Sequence, residues 1–246
     1  MIGIIGGTGL EKSNFIKKTE ILQINTEFGK PSSGIITGYI ENKKIAIISR
    51  HGLEHTITPT HVNNRANISA LKEIGCKYII ATTACGSLRE NIKPGDFVIP
   101  NQFIDFTKHR INTFYDSFEP KKMQHCPMAD PYSAVLRTKI KEAAKTVSIK
   151  IHTEGTILTI EGPRFSTRSE SNMFRSWGAD LINMSTAPET ALANEAGIPY
   201  AIIAISTDYD CWKTDEEPVS LEIVLQNFAK SVSHLIELLN NTVKLI

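Results

Sequence analysis

Apolar residues recur along this chain in two rhythms. Short, nearly continuous runs at 2–6 (IGIIG), 36–41, 44–50 (KIAIISR), 78–83 (YIIATT), 97–104, 155–160 (GTILTI), 181–184 (LINM) and 200–207 (YAIIAIST) predict strands. Runs this apolar suit central strands covered on both faces. Between them the spacing lengthens to three or four. Val62, Ala66, Ala70 and Ile74, with Leu71 beside them, predict a helix that stops at Gly75. Further helices are expected over about 132–146, over 167–177, from after Pro188 to Gly197, and from about 219. In the last of these, Leu221, Val224, Leu225, Phe228, Val232, Leu235, Ile236 and Leu239 share one face. Strands alternating with helices predict an α/β fold, a central sheet flanked by helices. No linker or repeat interrupts the pattern, so residues 1–246 are expected to form a single domain. The exception to the rhythm is 105–131, which holds His109, Arg110, Tyr115, His125 and three prolines and reads as a long loop. Loops of that length tend to bind or contact something.

Composition narrows the function. The chain has 246 residues, 41% of them apolar, and 27 Lys+Arg against 26 Asp+Glu leave a net charge of +1. That balance excludes a disordered polyelectrolyte and gives no basic surface for nucleic acid. A small-molecule partner is expected instead. The four cysteines, at 76, 85, 126 and 211, form no C-x-x-C pair and read as reduced thiols, with no metal site. The residues after Met1 form no basic leader, and no apolar run approaches a membrane span, so a cytoplasmic protein with no membrane partner is expected.

Five constellations carry possible chemistry. Gly6-Gly7-Thr8-Gly9 follows the first strand; it reads as an anion-binding turn or as a tight turn that needs positive φ. Arg50-His51 ends the strand KIAIISR; the guanidinium fork suits a phosphate, and the histidine can add a donor or carry a proton. A surface basic pair is the plainer alternative, and His51 with His55 lacks the helical context of a metal motif. Thr82-Thr83-Ala84-Cys85-Gly86-Ser87 ends a buried strand, where open α/β sheets place ligands. Glu161-Gly-Pro-Arg-Phe-Ser166 joins a strand to a helix, with Phe165 able either to pack or to stack on a planar ring. Asp208-Tyr-Asp210-Cys-Trp212 follows the most apolar strand, where burial and mutual repulsion raise carboxyl pKa values and suit general acid work; a helix cap or structural ion pair is the alternative.

These pieces in this order (GGTG, RHG, TTACGSL, EGPRFS, STDYDCW), with FGKPS at 28–32 and INMST at 182–186, resemble the 5′-methylthioadenosine phosphorylases, a branch of the trimeric purine nucleoside phosphorylases. The likeness runs from residue 3 to about 230. It implies a mixed sheet partly closed into a barrel, and a homotrimer or hexamer. It implies no cofactor, with inorganic phosphate as co-substrate. A phosphate site is implied at Thr8, Arg50, His51, Thr83, the Ala84 backbone and Ser185, where the family usually has threonine. Met184 would pack under the ribose, Phe165 and Ser166 along the purine, and Asp208 and Asp210 would meet N7 and the 6-amino group. His125 would reach a neighbouring subunit's 5′ pocket, and Leu221 stands where a valine is common.

The expected reaction is phosphorolysis of 5′-methylthioadenosine to adenine and 5-methylthioribose 1-phosphate, in purine and methionine salvage. Asp208 is the expected general acid and Asp210 its catalytic neighbour. The relatives that cleave 6-oxopurines carry Glu where Ser166 stands and Asn where Asp208 stands, so this pair favours a 6-amino purine. A broader nucleoside phosphorylase acting on adenosine or methylthioinosine is the first alternative. A nucleoside hydrolase would have no need of Arg50, and a non-catalytic nucleoside binder no need of an acid.

Overall fold

The computed structural model describes residues 1–6 and 15–246. In chain order the elements are β1 (Ile2–Gly6), β2 (Lys17–Leu22), β3 (Ile35–Ile40), β4 (Lys43–Ser49), α1 (Asn64–Glu73), β5 (Tyr78–Ser87), β6 (Phe97–Val98), β7 (Gln102–Phe106), α2 (Ala134–Ala144), β8 (Ile151–His152), β9 (Thr156–Ile160), α3 (Arg168–Ser176), β10 (Leu181–Asn183), α4 (Thr186–Glu195), β11 (Tyr200–Asp208) and α5 (Leu221–Leu245), with a 3-10 turn at Pro59–His61.

The strands alternate their side chains between two cores. Ile4, Ile47, Ile80 and Ile203 face one side with Leu136 and Ile140 of α2 and Leu235, Leu238 and Leu239 of α5. Their sequence neighbours Ile5, Ile48, Ile79 and Ile202 face the other with Ile68 and Leu71 of α1 and Leu192 of α4. This period of two between helical layers is why the strands read as continuous apolar runs. Each fully buried Ile or Leu contributes roughly 1.5–3 kcal/mol.

Some elements differ from expectation, each for a physical reason. β2 (KKTEIL) is an exposed strand paired to β3, so it has no apolar signature. β8 is two residues long, and the run expected at 97–104 divides into β6 and β7. β5 continues to Ser87 because small hydroxyl residues extend the strand as well as isoleucines do. α4 begins at Thr186, ahead of Pro188, which sits in the first turn where its missing N–H is not needed.

The pairings position the site. β4 pairs in parallel with β1, β1 with β5 and β5 with β11, so their carboxyl ends share one edge of the sheet. β5 lies at the branch. Along one edge it pairs with β1 as far as Ala81 and with antiparallel β10 from Gly86, while β11 follows its other edge. Between Ala81 and Gly86 the first edge has no strand partner among the described residues, and the sheet opens there. From β10 the pairings continue to β9, along the chain through 153–155 to β8, then to β6, β11 and back to β5. Residues 153–155 interrupt that circuit.

Candidate active site

The opening beside β5 leads into a cavity of about 420 Å³. Arg50, the residue after β4, is brought to its floor by the parallel register and is only 2% exposed. Its side chain pairs with Glu189 of α4, which is fully buried, through both Nε and Nη2. Nη1 donates to the Thr82 carbonyl at 3.0 Å, and Nη2 reaches the Ile5 carbonyl at 3.5 Å. Of the guanidinium's donors, one Nη1–H is left over for a ligand among the described residues. Tyr200 donates its hydroxyl to Glu189 at 2.8 Å. The corner therefore holds a charge-balanced, fixed fork rather than a mobile cation.

The hydroxyls around it are ordered by one amide. Nδ2 of Asn183 donates to Thr186 Oγ1 at 2.9 Å and Thr83 Oγ1 at 3.2 Å, and lies 3.5 Å from Ser185 Oγ. The Thr83 hydroxyl, which accepts from Asn183, gives its own hydrogen to the Ala84 carbonyl at 3.0 Å, a bond it can exchange for one to a ligand by rotating. Ser185 is the N-cap of α4, yet its side chain makes no capping bond and stands 3.4 Å from Thr83 Oγ1 at the cavity wall. The carbonyl of Thr82 faces Arg50, so by the two-residue alternation the Ala84 N–H faces the same gap. Fixed N–H and O–H groups beside the first turn of α4 make an anion-binding corner.

His51 also lines the cavity, but not as a donor. Its Nδ1 lies 2.9 Å from the Ile57 carbonyl, which takes the one hydrogen of a neutral ring. Burial, then the Arg50 charge, lowers its pKa to about 4, so it holds no extra proton at neutral pH.

The carboxylates sit where β11 meets the widened part of β5. Asp208 lies opposite Gly86, three residues or ~10 Å along β5 from Thr83. A Cβ on Gly86 would stand 2.9 Å from Asp208 Oδ1 and 3.0 Å from Ile182, so only glycine lets the carboxyl lie there. Oδ1 accepts from the Asp210 N–H at 2.7 Å and Oδ2 from Thr207 Oγ1 at 2.8 Å. A proton on this carboxyl therefore belongs on Oδ2, and Thr207 can then turn its hydrogen to the Cys85 carbonyl at 3.2 Å. Burial raises the pKa of both Asp208 and Asp210 against the pull of their hydrogen bonds, and the Asp210 charge raises Asp208 further. Asp210 takes a left-handed conformation, φ 50°, which aspartate tolerates better than most residues. Trp212 holds this turn down: its Nε1 donates to the Ser87 carbonyl at 2.8 Å, and the Arg175 guanidinium lies 3.6 Å over its ring.

Phe165, Met184 and Leu221 line the same cavity with Arg50, His51, Thr83, Ala84, Ser185, Asp208 and Asp210. Ser166 does not: its Oγ is buried without a partner among the described residues, and its carbonyl accepts from Cys211 Sγ at 3.1 Å. His125 is exposed on the long loop, edge-on to Phe118, away from this cavity. Thr8 lies outside the described residues. Among the described residues no group of three His, Cys, Asp or Glu side chains is placed to hold a metal, and the four cysteines carry free thiols.

Comparison with known proteins identifies the family. A profile of the phosphorylase superfamily matches residues 1–244. The chain belongs to that superfamily. It is 51% identical over 234 residues to the S-methyl-5′-thioadenosine phosphorylase of Danio rerio, covering 94% of this chain and 84% of that one. The Drosophila melanogaster protein of the same name is 48% identical over 244 residues, 98% of this chain and 84% of its own. A solved methylthioadenosine phosphorylase of Schistosoma mansoni in complex with adenine superposes with a TM-score of 0.92 at 45% identity, over 99% of this chain and 91% of that one.

Within this phosphorylase, sequence reasoning passed over three residues that build the site. Glu189 is a lone acid on the otherwise apolar and hydroxyl face of α4, a signal for a buried partner. Asn183 lay inside the quoted motif INMST but was given no task. Glu161 follows β9 and gathers the backbone N–H groups of Lys108 and His109, the Thr60 hydroxyl and Arg110. Those bonds outweigh its burial and bring its pKa to about 2. Arg110, through its bond to the Met184 carbonyl at 3.1 Å, fastens the start of the long loop to the cavity wall. No local pattern links residues so far apart in the chain.

Proposed function

We infer that this phosphorylase is a pentosyltransferase that splits 5′-methylthioadenosine with inorganic phosphate into adenine and 5-methylthioribose 1-phosphate. One observation carries the reading: a single cavity has an anion corner at Arg50, Thr83 and Ser185 and, further along β5, a buried pair of carboxyls with raised pKa values.

The chemistry follows from those two ends. Breaking the N-glycosidic bond puts positive charge on the sugar and negative charge on the base. Phosphate held by Arg50 Nη1, the Ala84 N–H and the hydroxyls of Thr83 and Ser185, with Thr8 and His51 beside them, steadies the cation and attacks C1′. Met184 lies under the sugar and Phe165 along the purine, with Ser166 behind it. Protonated Asp208 gives its hydrogen to N7 as adenine leaves, and Asp210 receives the 6-amino group. No resident cofactor is required, because phosphate is the co-substrate.

The apolar wall of Ile57, Pro59, Val224 and Leu221 suits the 5′-methylthio group. A second reading, equal use of adenosine, is favoured by the 57% exposure of Leu221 in the isolated protomer. A homotrimer whose neighbouring copy brings His125 to that wall removes the exposure; Tyr115, Phe118 and Met123, all exposed on the same loop, supply apolar surface for the contact. Among the described residues no helix is long and apolar enough to cross a membrane, and the cytoplasm is the proposed location, with methionine and purine salvage as the setting.

The test is adenine release from methylthioadenosine, adenosine and inosine, each with and without phosphate. Methylthioadenosine is expected to react fastest, inosine slowest, and none without phosphate. Release that needs no phosphate identifies a hydrolase.

A further inference from the structure

The link between His51 and Ile57 bears on which anion the corner accepts. The two residues are joined twice: the Ile57 N–H donates to the His51 carbonyl at 3.0 Å, and His51 Nδ1 lies 2.9 Å from the Ile57 carbonyl. A carbonyl only accepts, so Nδ1 carries a hydrogen. The ring is stacked on His55, with centroids 4.5 Å apart and planes at 23°, which holds its orientation. Burial disfavours a second proton on the ring, and Arg50, His55 and Arg110 add to this, opposed only by the bond to Ile57. The ring is thus neutral, its one hydrogen is committed, and Nε2 keeps a lone pair, in a ring that shares the cavity wall with Arg50, Thr83 and Ser185.

We propose that His51 is a specificity-determining residue that accepts a hydrogen bond from the oxyanion: Nε2 takes the O–H of monohydrogen phosphate and disfavours tetrahedral dianions that carry no hydrogen, sulfate above all. This rests on the phosphorolytic reading given above and adds a criterion to it. Sulfate and monohydrogen phosphate share charge and shape at neutral pH, so Arg50 and the hydroxyl donors treat them alike. They differ by one hydrogen. Against phosphate the lone pair finds a donor; against sulfate it faces another lone pair, and an acceptor out of water loses its hydrogen bond. Because Glu189 balances the Arg50 charge, uniform attraction for any dianion does not swamp that difference. With the P–O–H turned to His51, the three unprotonated oxygens remain for the donors and for attack on C1′.

The experiment measures adenine release from methylthioadenosine by the full chain with phosphate, with arsenate, and with phosphate against sulfate as competitor, for the wild type and for His51→Phe. Arsenate, which keeps a hydrogen at neutral pH, is expected to support release. The wild-type sulfate inhibition constant is expected to exceed the phosphate KM by about tenfold or more. In His51→Phe the phosphate KM is expected to rise while the sulfate constant stays level or falls, so that their ratio approaches one. A parallel loss of both affinities overturns the proposal, as does a wild type that binds sulfate as tightly as phosphate. If His51→Phe fails to fold, nitrogen-15 spectra of histidine-labelled wild type decide: a bare Nε2 whose resonance moves with phosphate and not with sulfate is expected, and a hydrogen on Nε2 overturns the assignment. Failure of the phosphorolytic reading shows separately, as wild-type adenine release that needs neither phosphate nor arsenate.

Discussion

The two walls of the cavity are built in opposite ways. The wall at the sheet edge presents Arg50, Thr83, Asn183, Ser185 and Asp208, all buried, each held by at least one hydrogen bond to a strand or to α4. The facing wall, from the first turns of α5 and the segment 55–59, is mostly apolar, and Leu221 and Leu225 are 57% and 46% exposed. One wall is fixed before a ligand arrives; the other offers area without orientation. Bond-making groups need placement within fractions of an ångström, whereas an apolar substituent needs only a dry surface. Under the proposed function, the sheet wall carries the chemistry and the helix wall the choice of 5′ group.

Removing Asp208 is the harshest way to break the comparison. Asp208→Ala is expected to lower kcat by about 10²–10⁴-fold, the usual reach of general acid catalysis, with a smaller change in KM; steady-state kinetics check this, and turnover within a few-fold of wild type removes Asp208 as the acid. The pH sign follows from burial. A carboxyl whose folded pKa is raised keeps its proton at a pH where a free aspartate has lost it, so activity is present below that raised value and lost as pH climbs through it. Asp208→Asn keeps an N–H for N7 but cannot titrate, so its slower reaction is expected to lack the alkaline limb. It is also expected to unfold at a higher temperature at neutral pH, because the burial that raises the Asp208 pKa makes its ionised form costly in the folded state, a cost the amide does not carry.

Glu189 tests the fixed wall through stability. Glu189→Gln leaves Arg50 buried with its charge unmatched, and the expected loss is about 3–5 kcal/mol. Arg164→Ala removes a bidentate pair with Glu170 that has equally good distances, 2.7 Å for both bonds, but an arginine side chain 63% exposed. Its expected loss is far the smaller of the two, because water and salt screen an exposed pair. Urea unfolding of both variants separates the cases; equal midpoints mean the Arg50 pair is not the constraint described above.

How far the molecule was legible from its residues follows the same division. The sheet-edge wall was readable because it is made from strand ends: isoleucine runs mark the strands, and whatever polar residue follows each one must lie at the carboxyl edge. Arg50, Thr83 and Asp208 were found in that way, and the family resemblance added Ser185, Met184 and the expected roles. Glu189 and Asn183 were not found, since the task of each depends on which residue the fold brings opposite. β2 escaped because a solvated edge strand is held by backbone pairing with β3. Whether His51 gives or takes a hydrogen depends on which ring nitrogen meets a carbonyl, and only the 51–57 turn shows that.

The smallest expected effect lies on the helix wall, and its size depends on assembly. Leu221→Ser removes apolar surface that the isolated protomer already leaves largely in water, so on a single copy the loss of kcat/KM for methylthioadenosine is expected to be no more than about threefold, at the low end for a methylene-scale contact. Adenosine, whose 5′-hydroxyl gains little from leucine, is expected to be almost unaffected. If a second copy covers the wall, Leu221 becomes buried against the methylthio group, and the same substitution is expected to cost about tenfold or more. Measuring the methylthioadenosine-to-adenosine ratio of wild type and Leu221→Ser across a range of protein concentrations therefore reads the occupancy of that wall. A ratio that changes with dilution places the 5′ selectivity at the contact between copies; a ratio that is constant and small places it within one chain and sinks the proposed role of the neighbouring subunit.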